Sequence, residues 1–310
     1  MAGTGSTGAQ IISKLAQRGI DLQVFQRTPQ WIFPLPDRRY GKVDKALVRM
    51  FPGLAKLIHH TYRVAFENLF AAAVLKPNWQ RRLMSWLCKK NLETVKDPDL
   101  RAKLTPDYQP LCKRLVMSTE FYPAIQRKNV QLITDEIDRI EAKGVITRDG
   151  VLHELDVLAM ATGFDAHAYF RPLELHNAQG QSLSEVWAQG PFALRTVAVP
   201  GFPNFFFTLG PQSPIGNFSA ISISETQIEY ILRCIELVRQ GTVKTLQPKP
   251  EATDRFNAFV RAAMPETIWV TGCSNWYMSP NGVPSAWPYS GARFRKELQA
   301  PDLSEYDVAV

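Results

Sequence analysis

The chain has 310 residues, 45% hydrophobic and 21% charged, with a formal net charge of +7 and four cysteines. That length buries one large core or two smaller ones, and the balance excludes disordered and fibrous classes. No uninterrupted apolar stretch reaches bilayer length, and the sequence reads without a leader peptide ahead of its first motif.

In chain order, "MAGTGSTGAQIISKLAQRG" comes first, with Gly3, Gly5 and Gly8 in G-x-G-x-x-G spacing. The spacing of Ile11, Ile12 and Leu15 predicts a helix over Gly8 to Arg18, closed by Gly19, and "DLQVFQRT" then alternates as a strand. Such a loop ordinarily hangs from a buried strand; only Met1 and Ala2 precede it, so the first strand is expected to be missing. From Pro34 to about Lys103 the pattern turns helical, broken at Pro52, Pro77 and Pro98, and Val64 to Leu75 reads as a buried helix. Between Arg38 and Lys103, 15 Lys or Arg stand against 5 Asp or Glu. Such a patch suits nucleic acid, a membrane surface or an anionic cofactor, and reads most simply as a solvated helical face.

After Pro110, "NVQLIT", "IDRIEA" and "GVITRD" predict short strands with turns at Lys143-Gly144 and Asp149-Gly150. "LDVLAMATGF" predicts a parallel strand covered on both faces, and "NFFFTLGP" repeats its strand-then-glycine signature. A long helix is expected from about Ser222 to Arg239, with Ile223, Ile228, Ile231, Ile235 and Val238 as its apolar stripe. Cys88, Cys112, Cys234 and Cys273 form no C-x-x-C pair, which argues against a redox dithiol or zinc knuckle and predicts free thiols in a reducing cytoplasm.

The glycine loop has a chemical reading of its own. Glycines let backbone N–H groups and a helix N-terminus approach a pyrophosphate. An NAD site ordinarily ends the following strand in Asp or Glu, for the ribose 2′-hydroxyl. Here that strand ends in Gln26-Arg27-Thr28, and a guanidinium with a hydroxyl attracts a 2′-phosphate that a carboxylate would repel. The site therefore reads as selective for NADP.

"GTGSTGAQ" followed by "VFQRTPQW" resembles the NADPH-binding domain of class B flavoprotein monooxygenases, the Baeyer–Villiger monooxygenases in particular. "CKRLVMSTEFYPAIQRKNVQLI", "ATGFD", "LGPQSP" and "WVTGCSNWYMSPNGVPSAWPYSGARFR" keep the family's motif order across nearly the whole chain. The resemblance implies an α/β chain: a Rossmann-like dinucleotide-binding domain (1–35 and 105–165) with a helical insertion (36–104), then the C-terminal part of a second, FAD-type Rossmann-like domain (166–310). It implies that NADPH reduces FAD, and that the reduced flavin activates O2 to insert one oxygen atom beside a ketone or to oxidise a soft heteroatom. Gly3, Thr4, Gly5, Ser6, Thr7, Gly8 and Gln10 would hold the NADP, and Arg27, Thr28 and Lys113 its 2′-phosphate. Arg114 falls on the family's catalytic arginine, a cation beside developing negative charge. Thr162, Gly163 and Asp165 match a hinge between nucleotide domains, and Gly210 and Pro211 a loop lining the flavin. Trp276, Tyr277 and Trp287 line a substrate pocket or pack the core.

The family's first glycine fingerprint, for FAD, and its Phe-x-Gly-x-x-x-His-x-x-x-Trp signature are not found, so the chain is expected to be the C-terminal part of a longer monooxygenase. Two readings stay open: a flavin monooxygenase completed by a separately encoded FAD-binding chain, or a non-catalytic remnant with at most weak NADP binding. No metal, nucleic acid or membrane partner is expected; a nucleic-acid or lipid-surface protein, a disulfide oxidoreductase and a serine hydrolase are weaker alternatives.

Overall fold

In the computed structural model the elements follow as α1 (Ser6–Gln17), β1 (Leu22–Phe25), β2 (Ile32–Phe33), α2 (Lys42–Met50), α3 (Pro52–Phe66), α4 (Ala72–Leu75), α5 (Trp79–Leu92) and α6 (Pro98–Lys103). They continue as β3 (Val116–Met117), α7 (Phe121–Ile125), β4 (Val130–Ile133), β5 (Ile137–Glu141), β6 (Gly144–Thr147) and β7 (Leu152–Glu154). The remainder comprises α8 (Leu183–Val186), α9 (Ala220–Arg239), β8 (Thr245–Pro248), α10 (Pro250–Ala262), α11 (Gly291–Glu297) and β9 (Tyr306–Ala309). The structure describes residues 1–309 except Arg38, His167, 215–217, Ser274, Trp276, Pro280, Asn281 and Val283. Contacts divide the chain into two units: Met1–Met50 with Arg82–Phe164, and Phe51–Arg81 with the residues from Asp165 on. The helices of the basic stretch are shared between them.

In the first unit, β1 pairs in parallel with β4, from Leu22 opposite Val130 to Phe25 opposite Ile133. Met1 and Ala2 do the work of the expected missing strand. Phe25 N donates to Met1 O at 2.9 Å and Gly3 N to Phe25 O at 3.0 Å, while on the other side Ala2 N donates to Ala159 O at 2.9 Å and Ala161 N to Ala2 O at 2.8 Å. Helix α1 buries Gly8, Ala9, Ile12, Ser13 and Ala16. Small side chains there permit close packing, and Ser13 Oγ closes its hydrogen bond on Ala9 O at 2.7 Å. Strands β5, β6 and β7 form an antiparallel meander; β5 and β6 fall on "IDRIEA" and "GVITRD" with their turns, whereas "NVQLIT" is β4 beside β1 and β7 has no counterpart among the expected strands.

Several sequence expectations are corrected here. "LDVLAMATGF" is no covered strand: its one ladder contact is the bridge from Met160 to Ala2, and Val157, Met160 and Phe164 are exposed at 77%, 72% and 97%. A continuous apolar run fits burial on both faces, but burial needs neighbours: Leu155 and Leu158 pack on the cluster of Phe25, Ile133 and Val145, while Val157, Met160 and Phe164 stay exposed. "NFFFTLGP" likewise makes a single bridge, Phe206 to Ala198, and its Phe207 is used as a core ring with Phe202 and Val199. Val64 is exposed, and burial in its helical stretch starts at Phe70. Cys88 and Cys234 are free and buried, whereas Cys112 and Cys273 are disulfide-bonded, which corrects the expectation of four free thiols. No described helix is long and apolar enough to cross a membrane.

In the second unit, α9 buries Ile223, Gln227, Tyr230 and Cys234, leaving Ile228 and Ile235 of the expected stripe exposed. Polar satisfaction decides the face. Gln227 Nε2 donates to Thr196 Oγ1 at 2.7 Å and Ser213 Oγ at 2.9 Å, and its Oε1 accepts from Leu209 N at 2.8 Å. Tyr230 and Tyr306 share a buried hydroxyl contact at 2.8 Å, which ties α9 to β9 beside its antiparallel partner β8. Arg195 bridges Glu297 and Glu305 below the surface. Around Trp287, fully buried, stand Phe256, Phe259, Tyr289 and Phe294. Tyr277 is buried against Trp269, so these two aromatics pack the core; Trp276 lies outside the described residues.

Candidate functional site

The three glycines differ in what they do. A Cβ on Gly3, whose φ is +102°, would lie 2.3 Å from Ala161 O, and one on Gly8 would lie 2.2 Å from Gly3 O. Both are required by close packing of loop, helix and backbone. Gly5 has φ −67° and nothing within 4 Å of the Cβ position, so it faces open space. It is also the N-cap of α1, with no side-chain cap and no acidic residue in the first turn. The first N–H groups of a helix lack intrahelical partners and carry the positive end of its dipole. The N-terminus of α1 therefore presents uncapped N–H groups and the positive end of its dipole on an open side.

Ser6, Thr7 and Gln10 are exposed at this end. Thr4 is buried and its Oγ1 donates to Thr28 O at 3.4 Å, joining the loop to the segment after β1. Thr28 O also accepts from Gln30 Nε2 at 3.1 Å. Arg27 is exposed.

Lys113 and Arg114 arrive from a distant part of the chain through the parallel pairing of β2 with β3, Ile32 opposite Val116. Leu111, with φ +77°, turns the backbone just before them. Partial burial holds the Lys113 ammonium below the usual lysine range; Asp107 opposes this and the Arg27 guanidinium adds to it. Lys113 and Arg27 thus feel each other's charge, an arrangement that an intervening phosphate would relieve. Arg114 is exposed and makes no hydrogen bond or ion pair among the described residues.

Thr162 and Gly163 follow Ala161, the residue against which Gly3 packs, and so border the glycine loop. Gly163 has φ +100° with nothing within 4 Å of its Cβ position, so a turn rather than crowding requires it. Asp165, in the second unit, pairs with Arg171 at 2.7 Å.

Gly210 and Pro211 are buried, and a Cβ on Gly210 would meet Phe207 at 2.2 Å and Thr196 O at 2.4 Å. Leu209 and Gln212 beside them hold φ of +53° and +64°, pinned by Gln227 and by Ser285 and Asn257 respectively. This loop is anchored by the protein's own packing. Sequence reasoning missed Gln30, Trp31 and Tyr108 as neighbours of the basic residues. Tyr108 in "PDYQPLCKR" stands close to Lys113, but no spacing rule marks it.

The site thus comprises a Rossmann-type glycine loop and helix, with Arg27 following β1 and Lys113 within reach of its charge. No family model matches the chain. It is 48% identical over 306 residues to an uncharacterized monooxygenase of Mycobacterium tuberculosis, covering 99% of this chain and 62% of that protein. It is 35% identical over 316 residues to a Baeyer–Villiger monooxygenase of Streptomyces coelicolor, covering 99% and 60%. In structure it is similar to OTEMO in complex with FAD and NADP, with a TM-score of 0.84 at 24% identity over 99% of this chain and 65% of that one. Against the closed form of cyclohexanone monooxygenase the TM-score is 0.82 at 25% identity, over 99% and 66%. The chain is a homologue of the Baeyer–Villiger-type monooxygenases, and it spans about three fifths of the curated relatives it matches.

Proposed function

We propose that this chain carries the NADPH-binding part of a flavin monooxygenase that inserts one oxygen atom from O2 beside a ketone or oxidises a soft heteroatom. The observation that supports this most is similarity to monooxygenases along 99% of the chain, and the charge of Arg27, just past β1, acts on Lys113. NADP fits the residues present. The open side of Gly5 and the N-terminus of α1 take the pyrophosphate, and Arg27, Thr28 and Lys113 hold the 2′-phosphate. Arg114 presents a guanidinium that stays charged in a closed site, and we assign it to stabilise negative charge developing during oxygen transfer.

FAD comes to this reading from the relatives. It supplies the oxygen-activating redox chemistry when bound, but the space beside Gly210 is filled by Phe207 and Thr196, and the described residues offer no second glycine loop at a helix N-terminus. The second reading, a non-catalytic chain with at most weak NADP binding, draws on the exposure of Val157, Met160 and Phe164.

The test is a visible absorption spectrum of the purified chain after incubation with FAD and desalting, followed by NADPH oxidation with a ketone. A retained flavin band and ketone-dependent oxidation support the first reading. A colourless, inactive chain that binds NADP weakly at most favours the second, unless a separately encoded flavin-binding chain restores activity.

A further inference from the structure

Tyr108 touches both halves of the basic site. Its ring lies 4.5 Å from Lys113 Nζ, measured to the centroid. Its hydroxyl is 3.1 Å from Pro29 O and 3.3 Å from Gln30 Oε1, two acceptors for one donor. Its backbone carbonyl accepts from Trp31 Nε1 at 2.7 Å. Gln30 in turn donates through Nε2 to Thr28 O. One side chain thus connects the ammonium of Lys113 to the segment immediately after Arg27 and Thr28.

We propose that Tyr108 is a positioning residue, presenting Lys113 together with the Arg27–Thr28 segment to the 2′-phosphate of the dinucleotide; this rests on the NADP reading given above. A lysine side chain is long and flexible, and fixing it on a ligand costs conformational entropy. An aromatic face attracts an ammonium and confines it before the ligand arrives, so less ordering remains for binding to do. The hydroxyl serves the same end from the other side by fixing the Pro29–Gln30 backbone. Burial raises the pKa of this phenol, which keeps it a donor across the working range. A tyrosine that only filled space would affect every nucleotide equally, whereas one that acts through Lys113 affects the 2′-phosphate alone.

The experiment is calorimetric titration of the 310-residue chain with 2′,5′-ADP and with 5′-AMP, reading the ratio of their affinities. Tyr108→Leu is expected to lower that ratio by about three- to tenfold, chiefly through 2′,5′-ADP. Tyr108→Phe, which keeps the ring and guards against a folding defect, should retain it to within about twofold. In a Lys113→Met background Tyr108→Leu should change the ratio by no more than the roughly twofold left to the hydroxyl. Equal losses for both nucleotides, or a full Tyr108→Leu effect without Lys113, would overturn the positioning role while leaving the NADP reading intact. A wild-type chain that binds 2′,5′-ADP no better than 5′-AMP overturns that reading, and this proposal with it.

Discussion

Arg295 on α11 grips Glu67, 228 residues earlier, with both terminal nitrogens, Nη1 at 2.7 Å and Nη2 at 3.0 Å. Arg63 approaches the same carboxylate at 3.8 Å. This shared anion joins residues of the Phe51–Arg81 segment to α11 within the second unit, although the segment lies in the sequence among helices that otherwise pack with the first. Removing the carboxylate leaves two guanidiniums facing each other. Glu67→Ala should therefore cost more stability than Arg295→Ala, about 1–2 kcal/mol against about 1 or less for a partly exposed pair. Denaturant unfolding of the two variants checks the order.

Gly5 and Gly8 make opposite predictions. Gly8→Ala forces a Cβ to within 2.2 Å of Gly3 O, so the loop must shift; a loss of about 1–3 kcal/mol is expected, with nucleotide binding lost alongside. Gly5→Ala meets nothing and has a compatible φ. It should change stability by no more than about 1 kcal/mol, the entropy gain being opposed by alanine's poor fit at an N-cap, yet weaken NADP binding by placing a methyl where the pyrophosphate approaches. Thermal unfolding and nucleotide titration on both variants separate the two roles.

Gln227 is the polar centre of its unit. Gln227→Leu keeps the volume but strands the Leu209 amide and takes a donor from Thr196 and Ser213, all at a buried site. The expected cost is about 2–4 kcal/mol, read from the denaturant midpoint at constant slope.

Lys113 sets a pH dependence. Its folded pKa lies below the usual 10.5. Folding therefore disfavours the charged form, a cost present below the folded pKa and relieved as pH rises toward the unfolded value. A bound 2′-phosphate favours the ammonium and reverses this. Affinity for 2′,5′-ADP should fall as pH rises through the depressed pKa, with proton uptake on binding in that window. Affinity for 5′-AMP should stay flat there, and Lys113→Met should flatten both profiles.

Much of this site was legible in the sequence because its signals are local. The glycine spacing, the start of α1 and the Arg27–Thr28 end of β1 all lie within the first 28 residues. The arrival of Lys113 depends on β2 pairing with β3, Ile32 opposite Val116 and 84 positions before it, and only the family resemblance pointed to it. The failures share a cause. "LDVLAMATGF" and the isoleucines of α9 were judged by hydrophobicity alone, but burial depends on which partner is present and on where polar groups such as Gln227 find theirs. The left-handed backbone at Leu111, Leu209 and Gln212 falls on residues whose type gives no hint of it.

The measurement that bears most directly on the account is equilibrium binding of NADP+ and NAD+ to the wild-type chain at fixed, moderate salt. The account predicts that NADP+ binds at least about tenfold more tightly, as one charge-assisted phosphate contact provides, and that Arg27→Ala or Lys113→Met brings the two together. Equal affinity for both nucleotides, or a preference untouched by either substitution, would contradict it.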